Sequence, residues 1–232
     1  MKIPDREELP RTAIQHDDSI QNHEIIPVRT ASGETVWQTP NARIVITPIR
    51  SYAENEKFLT ESERNYLNTH YGNSHRRDEG STWRAALRRH TACGDTCYTC
   101  DGAPCTVADE FHISVSHTSD KAAVIISDKR CGIDIEKCDR NFAKVAGRYM
   151  SPEESELTNS FGSAWQGVVW CAKECMYKMY GHRSVDFGHD MKILSASDNR
   201  LTCRVGTPAT KPEIYSLSVL FIENHICVWG TV

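Results

Sequence analysis

Apolar positions along this chain fall into short runs with two different periods. Ile44-Val45-Ile46, Ala122 to Ile126, and Ile133 with Ile135 are brief, rich in β-branched residues and bounded by turn residues such as Asp128-Lys129-Arg130, so they read as strands. Phe111-His112-Ile113-Ser114-Val115-Ser116-His117-Thr118 alternates apolar and polar residues and reads as a further strand. Met191–Ala196 and Leu201–Val205 flank an Asp198-Asn199 turn, and Tyr215–Ile222 and Ile226–Trp229 flank Glu223-Asn224, so two hairpins are expected near the C-terminus. Trp165, Val168, Val169, Ala172, Met176 and Met179 recur at three- and four-residue spacing, which makes one apolar stripe of a helix. A second helix is expected to open at Trp83. Residues 1–24 are polar, charged and aperiodic, and a loose tail is expected there.

The pattern also repeats. Phe58-Leu59-Thr60-x-x-Glu63 echoes Tyr149-Met150-Ser151-x-x-Glu154, and both read as capping boxes that start helices. Trp83-Arg84-Ala85 echoes Trp170-Cys171-Ala172 at a similar offset, and an apolar strand precedes each capping box. A period of about ninety residues is of subdomain size and points to duplication. The expected fold is therefore α/β (α+β), with two pseudo-symmetric halves at 25–110 and 111–232.

Chemistry enters at Gly132-Ile133-Asp134-Ile135-Glu136. Residues two apart on a strand share a face, so Asp134 and Glu136 point the same way, with Cα atoms roughly 7 Å apart. Two carboxylates that close repel unless a cation or proton lies between them, and Mg²⁺ suits carboxylate and phosphate oxygens. An amphipathic strand turning both acids to solvent is the plainer alternative. On the helix, Glu174 lies opposite the apolar stripe, with Lys178 one turn on along the same side. A solvated Glu–Lys pair would look the same, but Trp170 puts a large apolar ring on that polar side, as the wall of a cleft would. Ser114, Ser116, His117 and Thr118 offer hydroxyls and a ring nitrogen to an anion at a strand end.

Ser-Val-Ser-His at 114–117, Gly-Ile-Asp-Ile-Glu at 132–136 and Trp-x-x-Lys-Glu-x-x-x-Lys at 170–178 resemble, in order and spacing, the Sfp-type 4′-phosphopantetheinyl transferases. Tyr149-Met150-Ser151-x-x-Glu154 fits the same pattern. The resemblance is specific over 111–181, fades over 42–110, and covers little of the first forty and last fifty residues. It implies transfer of the phosphopantetheine arm of coenzyme A to a serine of an acyl or peptidyl carrier protein, with adenosine 3′,5′-bisphosphate released. It implies an active site in the cleft between two similar halves. It implies Mg²⁺ held by Asp134, Glu136 and Glu174, with Glu174 also the base toward the carrier serine. Lys178 would neutralise pyrophosphate, Lys173 would assist with phosphate, and Ser116 and His117 would meet the 3′-phosphate. Arg84 and Arg88 are the N-terminal candidates for holding the nucleotide, with Arg76 and Arg77 beside them. Two departures stand out. The segment Asp101-Gly102-Ala103-Pro104 lacks the lysine of the family's Gly-Lys-Pro, and Gly181-His182-Arg183-Ser184 replaces a Gly-x-Gly turn. A metal-dependent phosphohydrolase using the same acids, a degenerate coenzyme A-binding relative and a zinc-linked interaction module are the alternatives.

The formal charge of −4 argues against a general nucleic-acid binder. No apolar run reaches membrane length and no signal pattern is present, so a cytoplasmic, monomeric protein without a membrane partner is expected. The ten cysteines then read as reduced. Cys93, Cys97, Cys100 and Cys105 cluster, and are expected as free thiols in the loop joining the halves. A four-thiolate zinc and an iron–sulfur cluster, suggested by Cys-x₃-Cys-x₂-Cys, are the alternatives.

Overall fold

The computed structural model describes residues 27–108, 111–181 and 184–232; the tail expected at 1–24, and His182 and Arg183, lie outside the described residues. The N-terminal part runs β1 (Val28–Arg29), β2 (Thr35–Gln38), β3 (Ala42–Pro48), α1 (Tyr52–Asn55), α2 (Glu61–His70), α3 (Ser74–His90), a small hairpin β4 (Thr96–Tyr98) and β5 (Pro104–Thr106), then β6 (His112–His117) and β7 (Lys121–Ser127). The C-terminal part runs β8 (Cys131–Lys137), α4 (Pro152–Thr158), α5 (Trp165–Tyr180), β9 (Met191–Ser197), β10 (Arg200–Val205), β11 (Glu213–Ile222) and β12 (His225–Thr231). The architecture is α+β, and the two large sheets are antiparallel throughout. Among the described residues no helix is long and apolar enough to cross a membrane.

Each sheet has five strands, in the orders β1-β2-β3-β7-β6 and β8-β12-β11-β10-β9. The repeat read from the sequence has a counterpart in this topology. In both halves the strand before the helices (β3, β8) pairs with the strand that ends the half (β7, β12), and that strand's other side takes its predecessor (β6, β11). The switch of sheet falls between Ser127 and Cys131, beyond the 110/111 boundary drawn from sequence, because β6 and β7 complete the first sheet. The two inner sheet faces bury Ile44, Ile46, Ile125, Ile133 and Ile135 against one another. α3 covers the first sheet through Trp83, Ala86 and Leu87, and α5 covers the second through its apolar stripe. The layers are thus helix, sheet, sheet, helix.

The expected start of α3 at Trp83 is wrong. Asn73 caps the helix, its side chain accepting from the His75 amide at 2.8 Å. Gly80, Ser81 and Thr82 are poor helix formers and read as a boundary. Gly80 is there for another reason: a Cβ would lie 2.8 Å from Leu67 Cδ2, so glycine is what lets α2 pack against α3.

The two capping boxes form, and each does more than cap. Thr60 and Ser151 accept from the amides of Glu63 and Glu154, and both glutamates are buried. Each glutamate then meets a strand and a cation from the long helix of its half. Glu63 accepts from Thr96 Oγ1 at 2.6 Å and pairs with Arg88 at 2.9 Å. Glu154 accepts from the Ile193 amide at 2.8 Å and pairs with Lys173 at 2.8 Å. A buried carboxylate is tolerable only when paired and hydrogen-bonded, and each half meets this with a strand donor and a helix cation.

The cysteine loop also departs from expectation. Cys97 and Cys105 are joined as a disulfide across the β4–β5 hairpin, while Cys93 is buried in the first half's core and Cys100 is exposed. The four sulfurs therefore do not form one site.

Lys173→Met should destabilise the protein by ~3–5 kcal/mol in urea unfolding, because it leaves Glu154 as a lone buried carboxylate. The pair Lys173→Met/Glu154→Gln should recover part of that loss. An unchanged unfolding midpoint for the single variant would contradict the role given to this ion pair.

Candidate active site

Gly132 sets the geometry. A Cβ there would sit 2.5 Å from the Cys175 carbonyl oxygen and 2.7 Å from Met179 Cγ, so only glycine lets α5 lie this close to β8. Along β8, Ile133 and Ile135 turn into the core between the sheets, and Asp134 and Glu136 turn to the other side, toward α5. Glu174 and Lys178 come to them from that helix. Gly181, with φ +87°, ends the helix directly after the residues the site needs.

Asp134 is the centre. Its Oδ1 accepts from Ser116 Oγ at 2.8 Å and from Lys178 Nζ at 2.9 Å. Its Oδ2 is buried and has no hydrogen-bond partner. Lys178 also donates to the Ile133 carbonyl at 2.7 Å. Burial works against the ammonium, but the Asp134 carboxylate more than compensates and holds it above the ordinary lysine range. Glu136 accepts from Trp170 Nε1 at 3.1 Å and from Arg140. Trp170 is partly buried against the core of the second half, with Tyr149 edge-on to it at a ring-centre distance of 5.2 Å, and it is not among the residues lining the cavity described below.

Burial and the Asp134 charge raise Glu136 above the ordinary carboxylate range, with Arg140 and Trp170 opposing and Glu174 adding. Burial and Asp134 also raise Glu174, with Lys178 and Arg140 opposing. Asp134 acts on both glutamates and Glu174 on Glu136, and one Asp134 oxygen is buried without a hydrogen-bond partner; carboxylate oxygens of this kind suit a hard divalent cation. Among the described residues no three His, Cys, Asp or Glu side chains close into a ligand cluster. Lys178 on Asp134 and Arg140 on Glu136 supply positive charge to the acids in this arrangement.

Beside the acids lies a cavity of about 450 Å³. Tyr71, Arg76, Glu79 and Trp83 line one wall, the β4–β5 hairpin (Tyr98, Gly102, Ala103, Pro104) a second, and His117, Cys131 and Lys178 the floor toward the acids. Both halves therefore build it. His117 Nδ1 lies 3.3 Å from Glu79 Oε1. Burial, then Arg76, Lys178 and His75, lower His117 below the usual histidine range against the pull of Glu79.

Several expected residues lie elsewhere. Lys173 is fully buried, and its ammonium is spent on Glu154 and the carbonyls of Tyr149, Phe187 and Met191. Arg88 holds Glu63 and the carbonyls of Cys93 and Gly94, each at 2.9 Å. Arg84 is buried under the hairpin, bonded to Gly80, Thr96 and Tyr98 and stacked on Trp83 at 4.1 Å. Arg77 lies over Tyr52. Of the four arginines only Arg76 lines the cavity. Ser116 and His117 diverge: Ser116 turns to Asp134 and His117 to Glu79, on opposite sides of β6. Tyr71, Glu79, Tyr98 and Arg140 escaped the sequence reading, because no local pattern ties them to the acids.

Raised carboxylates make a testable sign. Folded Glu136 and Glu174 keep protons that the unfolded chain has released above the ordinary glutamate value of 4.5, so their ionisation costs stability as pH rises through that window. Glu174→Gln should therefore melt higher than wild type at pH 7, with the gap closing toward pH 5. A lower melting temperature at both pH values would show that the charge supports the fold.

No curated protein matches the chain. Residues 130–228 match the family model of the 4′-phosphopantetheinyl transferase superfamily. The matched span opens just before β8, covers α4, α5 and the hairpin strands, and ends within β12, so it contains Asp134, Glu136, Glu174 and Lys178. Over this segment, a little under half of its length, the chain is similar to the 4′-phosphopantetheinyl transferase superfamily.

Proposed function

We propose that the protein transfers the phosphopantetheine arm of coenzyme A to a serine of an acyl or peptidyl carrier protein, with Mg²⁺, releasing adenosine 3′,5′-bisphosphate. The observation that carries this reading is the unpartnered buried Oδ2 of Asp134, set among two further carboxylates and Lys178 at the edge of a cavity built by both halves. The superfamily supplies the reaction class, and the cavity supplies room for part of a nucleotide.

Asp134, Glu136 and Glu174 would hold the cation, which when bound neutralises pyrophosphate charge and polarises its phosphorus–oxygen bonds. Lys178 lines the cavity while bonded to Asp134, so its ammonium can face phosphate oxygens from a fixed position. Glu174 is the base: a carboxylate raised toward neutrality is better matched to taking the serine proton than an ordinary one. The serine oxygen then forms a bond to the pantetheine-side phosphorus, and the bond from that phosphorus to the bridging oxygen breaks. Trp170 and Tyr149 shield the acids from bulk water, which strengthens each charge interaction. On the nucleotide side, Arg76 and His117 are the cavity's polar groups for a terminal phosphate. His117 would act there as a neutral donor, its charge suppressed by burial.

The test is to incubate the protein with coenzyme A, Mg²⁺ and an apo carrier protein and to weigh the carrier. A gain of one phosphopantetheine arm is expected, and Asp134→Ala should lower the rate by at least about a hundredfold while circular dichroism stays native. Hydrolysed coenzyme A with an unmodified carrier would favour a phosphohydrolase. Binding of coenzyme A without turnover on any of several carriers would favour a non-catalytic relative.

A further inference from the structure

Arg140 is a charged group at the acid cluster that neither motif contains. It lies in the turn after β8, four residues beyond Glu136, and its Nη1 donates to Glu136 Oε1. That same oxygen accepts from Trp170 Nε1 at 3.1 Å. The guanidinium is also held by two aromatic faces, 5.1 Å from the Phe142 ring centre and 5.3 Å from that of Trp170. Phe142 is buried and packs in the core under α5, so one of these faces is a fixed platform. The pair is placed at the mouth of the site: 44% of the Arg140 side chain is exposed, against 19% of Glu136 and 17% of Lys178.

We propose that Arg140 is a resident counter-cation that competes with a divalent metal for Glu136. It thereby makes capture of the metal depend on the arrival of an anionic ligand. This rests on the reading of Asp134, Glu136 and Glu174 as the metal-holding acids. Three carboxylates carry three negative charges, and Lys178 and Arg140 return two, so the cluster without metal has a net charge near −1. A free divalent cation gains little from so nearly neutral a site, and it must displace Arg140 from Glu136 to reach both strand acids. A polyphosphate changes the balance. It offers the planar guanidinium a bidentate anionic partner, which releases Glu136. The two ligands then favour each other, and by linkage the coupling is the same whichever arrives first. Lys178 does not serve equally as the competitor, because it is also bonded to the Ile133 carbonyl and is the more buried of the two cations.

The experiment measures Mn²⁺ binding to the whole protein, without coenzyme A, by electron paramagnetic resonance of the free ion. The proteins are wild type, Arg140→Gln, Arg140→Lys, Glu136→Gln and the double variant Glu136→Gln/Arg140→Gln. Melting temperature is recorded for each to confirm that it is folded. Arg140→Gln should bind Mn²⁺ about fivefold more tightly than wild type, the scale of one partly exposed charge pair. Arg140→Lys, which keeps the charge, should stay close to wild type. The gain should vanish in the Glu136→Gln background, since the competition is for that carboxylate. Equal or weaker binding by Arg140→Gln overturns the proposal, as does a gain of the same size when Glu136 is already Gln. If neither wild type nor Arg140→Gln binds Mn²⁺ and Asp134→Ala changes nothing, the reading of the three acids as a metal site fails, and this proposal falls with it.

Discussion

The carboxylate of Asp134 is the point at which the two halves and the long C-terminal helix are tied together. β8 carries it, Ser116 reaches it from the edge of the other sheet, and Lys178 reaches it from α5. Buried at 5% exposure, it cannot rely on water, so its oxygens must be answered by neighbours. One oxygen is answered twice and the other is left over. That imbalance is what a protein holding itself ready for a ligand would show, since a buried orphan acceptor otherwise costs stability with no return. The features around it follow. Gly132 brings the helix close, the Ile133 carbonyl anchors Lys178, and Trp170 donates its ring N–H to Glu136.

Duplication explains the frame, and loss of symmetry explains the site. Both halves repeat the strand, the capping box with its buried glutamate, the long helix and its cation, and the returning strands. Among the described residues, the strand before the helices carries acids in the second half (β8), whereas its counterpart β3 reads Ile44-Val45-Ile46 at its centre and buries all three. The first half gives a cavity instead, through Tyr71, Arg76, Glu79, Trp83 and the β4–β5 hairpin. The Cys97–Cys105 bond closes that hairpin and fixes the wall facing the acids, in the segment where the family's Gly-Lys-Pro reads Gly102-Ala103-Pro104. Arg76 and Lys178 are the arginine and lysine side chains that line the cavity.

What was legible in the sequence was periodic. Strand alternation placed Asp134 and Glu136 on one face, and the apolar stripe of α5 placed Glu174 and Lys178 together, because both rest on backbone geometry alone. The same geometry argues against two of the expectations. Lys173 is adjacent to Glu174 and so points about 100° away around the helix, into the core, where Glu154 meets it. Ser116 and His117 are adjacent on a strand and so face opposite sides. Arg84 and Arg88 are engaged with other partners for a different reason. Their partners Glu63, Thr96, Cys93 and Gly94 come from another helix and the following loop, and no local pattern reports a contact of that kind. The Cys97–Cys105 pairing was equally hidden, since spacing alone could not choose among four clustered cysteines. Arg140 escaped because a lone arginine in a turn looks like ordinary surface.

The central claim is that Asp134 anchors a metal at the pyrophosphate of coenzyme A. It is tested most directly by ³¹P nuclear magnetic resonance of coenzyme A with the protein and a trace of Mn²⁺. The account predicts that wild type broadens the two pyrophosphate signals more than the 3′-phosphate signal, beyond the effect of free Mn²⁺, and that Asp134→Ala abolishes the difference. Preferential broadening of the 3′-phosphate, or an unchanged pattern in Asp134→Ala, would contradict it.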